Sequence, residues 1–146
     1  MKSSLDRQVG GDHYKTNRIQ PVTFIERNQL SFCEGNVVKY IARSRKKNGL
    51  EDLNKAQHYL QILIEEHIKK PLPTLRTPLV IPVELFCAGI PEITRAETRA
   101  ITDICRWRRV YGLTGTRKIS ILQELNKNWH QVVNAWADSC HAAEVL

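Results

Sequence analysis

Residues 31–69 carry the strongest fold constraint in the chain, because a helix start signal there precedes two apolar stripes at helical spacing. Ser31 and Glu34 form the pattern of a capping box, in which the hydroxyl accepts one orphan helix N–H and the carboxylate reaches back to another. In the helix they open, Val37, Val38, Ile41 and Ala42 fall on one side at about 100° per residue. Asn36, Lys39, Tyr40, Arg43 and then Lys46 or Lys47 fall on the other. Asn48-Gly49 reads as the C-cap, since both residues tolerate the left-handed conformation. A second helix is predicted from about Glu51 to Lys69, stopping before Pro71. Its stripe is Leu53, Ala56, Leu60, Leu63 and Ile64, with Asp52, Lys55 and Tyr59 at the edge. A connection this short pairs the helices as an antiparallel hairpin. The stripe-edge residues then face the polar side of the first helix. The plain alternative is a solvated basic face with an Asp52–Lys55 surface pair contributing about 0.2–0.5 kcal/mol.

The flanking segments are less regular. Gly10-Gly11 makes a flexible joint before Asp12-His13-Tyr14-Lys15, which lets the backbone bend closely round a ligand. Pro21 suits the first turn of a short helix running to about Gln29, with Val22, Phe24 and Ile25 facing inward. Phe32 is read as core rather than as a stacking platform. Pro71, Pro73, Pro78, Pro82 and Pro91 break up any long helix, and Leu79–Ile81 and Val83–Phe86 read as short extended pieces. Thr94 caps a helix from about Arg95 to Tyr111, ended by Gly112. Its buried stripe is Ala100, Ile101, Ile104, Trp107 and Tyr111, and its exposed basic stripe is Arg95, Arg99, Arg106 and Arg109. A last helix spans roughly Arg117 to Ala142, with Leu122, Leu125, Trp129, Val132 and Trp136 in a heptad-like pattern. Trp129 and Trp136 on that seam point to packing against another helix, of this chain or of a second subunit, and a homo-oligomer is expected. No internal repeat is evident. The expected architecture is mainly α: a helical hairpin module over 1–70, an ordered proline-rich linker over 71–93 and a helical extension over 94–146.

Several classes are set aside. The four cysteines contain no C-x-x-C pair, so neither a zinc ribbon nor a redox motif is indicated. No apolar run approaches the ~20 residues of a membrane helix, and the first residues lack the apolar segment of a signal peptide. A soluble, cytoplasmic protein is expected. There is no Walker A loop, no G-x-G-x-x-G and no H-E-x-x-H. The second helix offers only Glu65-Glu66 at its far end and faces a basic helix, which argues against a multi-carboxylate metal site. The net charge of +7 favours anionic partners: nucleotides, nucleic acid or acidic proteins.

His13-Tyr14, the run Gly35-Asn36-Val37-Val38-Lys39-Tyr40-Ile41-Ala42-Arg43, Lys46-Lys47, Asp52-Leu53, Lys55-Ala56 and Tyr59 together resemble the signature of the phage nucleotide kinase-like family. The resemblance covers roughly residues 9–68. Most members are uncharacterised; one characterised type phosphorylates deoxynucleoside monophosphates at the expense of a nucleoside triphosphate, so the resemblance implies a phosphotransferase, working in the host-cell cytoplasm if phage-encoded. The protein in such a transfer positions two substrates and offsets charge on the moving phosphoryl group. By resemblance His13, Lys39, Arg43 and Asp52 are assigned to catalysis. Tyr14, Asn36, Tyr40, Lys46, Lys47, Lys55 and Tyr59 are assigned to substrate binding. Arg43 would clamp phosphate oxygens, the lysines would act as point charges, and a tyrosine would stack on the base. Asn36 would read a base edge or ribose, and Asp52 would orient Arg43 or Lys55 or accept a sugar hydroxyl. No resident cofactor or bound metal is required, though a triphosphate donor and magnesium fit the chemistry. Arg45 departs from the family pattern, where a glycine is common. Two alternatives stay open: a protein that sequesters a nucleotide without turnover, and a nucleic-acid-binding protein using the Arg95–Arg109 stripe and Trp107, whose affinity falls steeply with salt.

Overall fold

The computed structural model describes residues 3–11, 18–109 and 115–145, and among these every regular element is helical. Seven α-helices are described: α1 (Pro21–Arg27), α2 (Phe32–Arg43), α3 (Leu50–Lys69), α4 (Val83–Ala88), α5 (Arg95–Arg106), α6 (Gly115–Lys127) and α7 (Trp129–Val145). The mainly α class is therefore correct. None of the described helices is long and apolar enough to cross a membrane.

Local chemistry sets the helix boundaries. Ser31 and Glu34 form the expected capping box, with Glu34 N–H donating to the Ser31 hydroxyl at 3.2 Å and Ser31 N–H to the Glu34 carboxylate at 2.7 Å. Thr94 and Glu97 repeat the motif at the start of α5. α2 stops at Arg43 rather than running on to Asn48, and residues 44–49 form turns. Gly49 is the residue before α3, at a φ of +54° that a side chain adopts only with strain, and Trp136 lies 3.4 Å from where its Cβ would stand. Gly35 serves packing instead: a Cβ there would meet Ile25 of α1 at 2.8 Å. Val83–Phe86, expected to be extended, lies within the helix Val83–Ala88, with Pro82 as its N-cap and Phe86 buried. The expected single helix over 117–142 is broken at Asn128, between α6 and α7.

The chain is built from two related halves. In the first, α1 packs on α2 and α2 on α3. In the second, α4 packs on α5 and α5 on α6. The halves meet through α2 against α5 and α3 against α6, and α7 covers α5, α3 and α6. The Phe24 and Phe86 rings stack across the junction, with centroids 4.2 Å apart and planes at 15°. Each buried capping glutamate is held by an arginine from just beyond the end of the other half's helix. Glu34 receives Arg108 and the Trp107 indole N–H (2.7 Å), and Glu97 receives both terminal nitrogens of Arg45 at 2.8 and 2.7 Å. Glu34 precedes Arg45 by the same number of residues as Glu97 precedes Arg108. The exchange makes α2 and α5 antiparallel and gives the halves a twofold-like, reciprocal relation. The pattern [S/T]-x-x-E, with R-x-R starting at the last residue of the helix, recurs in both halves, though its matching positions are too few to stand out in the sequence alone. Arg45 is thus a tie between the halves.

The core runs through both halves, from Phe24, Val38, Ile41, Leu53 and Leu60 to Phe86, Ile101, Ile104, Trp107 and Leu122. Trp129 is only 2% exposed and Trp136 is half-buried against the same core, so the expected subunit seam faces inward within this chain. The segment between α3 and α4 is pinned by side chains. The Asn28 amide exchanges two hydrogen bonds with the Ile81 backbone at 2.9 Å each. The His67 Nδ1 accepts Leu72 N–H at 2.9 Å, and Arg109 donates to the Thr77 carbonyl at 3.1 Å.

Candidate functional site

The polar edges of α2 and α3 meet in one cluster centred on Tyr40. Lys39, Tyr40 and Arg43 come from the C-terminal end of α2, and Asp52, Lys55 and Tyr59 from α3. The Tyr40 and Tyr59 rings are nearly parallel, 14° apart, with centroids 5.8 Å from each other. Phe32 meets the Tyr59 ring edge-on at 5.9 Å. Contrary to the core reading, Phe32 is 76% exposed. It sits in the first turn of α2 with its outer face bare. Val22 is likewise exposed rather than inward.

Three cations surround the Tyr40 ring. Lys39 Nζ lies 4.4 Å from its centroid, the Arg43 guanidinium carbon 4.6 Å and Lys55 Nζ 5.7 Å. All fall within the range at which a ring face attracts a cation. Arg43 is fixed further by Asp52, whose Oδ1 accepts its Nε at 3.1 Å and its Nη2 at 2.9 Å. Asp52 Oδ2 accepts the Asn48 backbone N–H at 3.2 Å. Asp52 is fully buried, so its sequence-based role narrows: both oxygens hold protein groups, and it positions Arg43 rather than meeting a sugar hydroxyl. Lys55 pairs with Glu51 at 2.9 Å on the surface, and that hydrogen bond raises the Lys55 pKa above its ordinary value.

The remaining expected residues are arranged differently. Asn36 is buried, and its amide donates back to the Phe32 carbonyl at 2.8 Å. It fixes the first turn of α2 instead of presenting an amide to a ligand. Lys46 and Lys47 lie in the turns after α2. Lys46 is partly buried, which lowers its pKa, and Lys47 is exposed. His13 and Tyr14 lie outside the described residues. Sequence reasoning thus brings six residues together correctly, namely Lys39, Tyr40, Arg43, Asp52, Lys55 and Tyr59. It misses Phe32, whose position one turn before Asn36 on the polar face was the available signal.

Other reactive groups are less suited to chemistry. Burial pushes the Cys87 thiol up to about 11 and the Cys105 thiol up to about 12, so neither is a thiolate at neutral pH. Among the described residues no three His, Cys, Asp or Glu side chains converge as a metal site would need. The expected basic stripe on α5 is thinned: Arg109 donates to the carbonyls of Asn28, Thr77 and Cys105, leaving Arg95, Arg99 and Arg106 at the surface.

Residues 9–61 match a family described as a protein of unknown function, DUF3310. That span contains α1, α2, the first half of α3 and all six clustered residues. No curated protein and no solved structure matches the chain.

Proposed function

We propose that the α2–α3 face binds a nucleotide, and that the chain is a phosphotransferase of the deoxynucleoside monophosphate kinase type. The observation that carries this reading is the Tyr40 cluster, in which two near-parallel phenol rings and an exposed Phe32 adjoin three cations. A base stacks on aromatic faces, and that contact is worth about 1–3 kcal/mol per base. Its phosphates need positive charge held in place. Arg43, fixed by buried Asp52, supplies a positioned guanidinium. Lys39 and Lys55 supply mobile point charges. In the reaction an oxygen of the monophosphate attacks the terminal phosphorus of a nucleoside triphosphate. The bond to the bridging oxygen breaks, and two diphosphates leave. The cations offset charge on the three equatorial oxygens as the phosphoryl group moves. The family resemblance of residues 9–68 supports turnover, and a triphosphate donor places the activity in the cytoplasm.

A sequestering protein would use the same face without turnover. Nucleic-acid binding is less favoured, because Arg109 is engaged with backbone carbonyls. The test is a product assay. The full chain is incubated with each deoxynucleoside monophosphate and a mixture of triphosphates, with and without magnesium, and the nucleotides are resolved by chromatography. Diphosphate is expected from the wild type, with at least a tenfold loss in a Lys39→Gln/Lys55→Gln double variant. Nucleotide retained without product indicates sequestration. Absence of both product and retained nucleotide would overturn the nucleotide reading.

A further inference from the structure

The twofold-like relation between the halves raises a question about the second hairpin. Counted from the two capping glutamates, Arg95, Arg99 and Asp103 of α5 occupy the positions of Phe32, Asn36 and Tyr40 of α2. In the first half those positions sit at the α2–α3 face. In the second half they border a cleft of about 850 Å³ between α5, α6 and α7. Small-molecule sites span about 300–1,000 Å³. The floor of the cleft is apolar, with Ala100, Leu125 and Val132 all buried. Its rim is polar, with Glu124 and Gln131 opposite the arginines.

The two arginines differ from the guanidinium groups at the end of α5 and just beyond it. Arg108 and Arg109 are bound to protein acceptors, and Arg106 stands 4.0 Å from Glu84. Arg95 and Arg99 are exposed, one helical turn apart, and make no hydrogen bond or ion pair among the described residues. Side chains at i and i+4 lie on one helix face. Two guanidiniums so placed offer parallel N–H donors at a spacing that suits a phosphate. Asp103, one turn further on, is half-buried near Arg99 and accepts hydrogen bonds from hydroxyl or amino groups.

We infer that the α5–α6–α7 cleft is a second ligand site that takes a phosphomonoester with a small polar body. Arg95 and Arg99 hold the phosphate, Asp103 and Gln131 meet the body, and the Ala100–Leu125–Val132 floor excludes water beneath it. The first hairpin offers aromatic rings, and among the described residues lining the second cleft there are none, so the duplicated faces select different ligands. The inference is independent of phosphotransfer at the first face. A sugar phosphate and a nucleotide share the required chemistry.

The test is nitrogen-15 NMR titration of the full chain with inorganic phosphate, ribose 5-phosphate and deoxythymidine monophosphate. At least one ester is expected to give saturable amide shifts in α5, α6 and α7, and no response there from either ester would overturn the proposal. Those shifts should need at least tenfold more ester in an Arg95→Gln/Arg99→Gln double variant. They should persist in Lys39→Gln/Lys55→Gln, which separates this site from the first face. The ester that binds more tightly identifies the body. Shifts confined to α2 and α3, shifts untouched by the arginine substitutions, or phosphate binding as tightly as both esters would each overturn the proposal.

Discussion

Phe24 and Phe86 lie face to face at the junction of the two halves, both fully buried, with ring centroids 4.2 Å apart. Among the described residues neither ring stacks on another in its own half, so each completes the other's core. Phe24→Ala should destabilise the whole chain by about 3–5 kcal/mol. Because the core is continuous, far-UV circular dichroism and tryptophan fluorescence should report one coincident urea transition in both proteins. Two separate transitions would show that the halves unfold independently.

Glu34 and Arg108 form a buried ion pair that also receives the Trp107 indole. Removing one partner leaves an uncompensated charge away from water. Glu34→Gln or Arg108→Met should each cost about 3–5 kcal/mol in urea unfolding. The double variant should lose clearly less than the sum, since it leaves no lone charge. Additive losses would mean that the two side chains act separately.

Arg43 and Asp52 join the structural and functional readings. Asp52 is buried, and only Arg43 neutralises it within 4 Å among the described residues. Arg43→Ala should therefore destabilise the fold by about 3–5 kcal/mol. Arg43→Lys keeps the charge but loses the paired N–H geometry, so its stability should fall between the two. Lys39→Gln should leave stability within about 0.5 kcal/mol while weakening nucleotide binding. Parallel thermal melts and nucleotide titrations separate these effects.

His67 sets a pH dependence. Burial holds its pKa below the ordinary value, and the nearby Arg108 charge acts in the same direction. Its Nδ1 accepts the Leu72 N–H, and its ring stands edge-on to Trp107 with centroids 4.8 Å apart. Below about pH 6.5 the unfolded chain binds a proton that the folded chain refuses. Stability should therefore fall as pH drops from about 6.5, and the His67 contribution should level off below its folded pKa. His67→Gln keeps an acceptor for Leu72 but cannot titrate. Its denaturation midpoint should decline less steeply than that of the wild type between pH 7 and 5 (an approximate window set by the imidazole pKa).

Much of the helical framework was legible from local rules. Ser31-x-x-Glu34 and Thr94-x-x-Glu97 mark helix starts because a capping box is satisfied within four residues. The stripe from Leu53 to Ile64 marks a buried face because helical period alone puts those side chains together. The same period put Lys39, Tyr40 and Arg43 opposite Asp52, Lys55 and Tyr59, so most of the candidate site followed from one short hairpin. Other features depend on partners far along the chain. Asn36 and Phe32 share a helix face, yet Asn36 is buried and Phe32 exposed, because burial depends on where α1 and α3 stop covering α2. Val83–Ala88 forms a helix because packing against α5 outweighs the β propensity of its residues. Glu34 and Arg108, or Arg45 and Glu97, carry no local sign of their pairing. An ion pair between distant residues exists only once two helices have docked, and the repeat that relates the two pairs became visible through that docking.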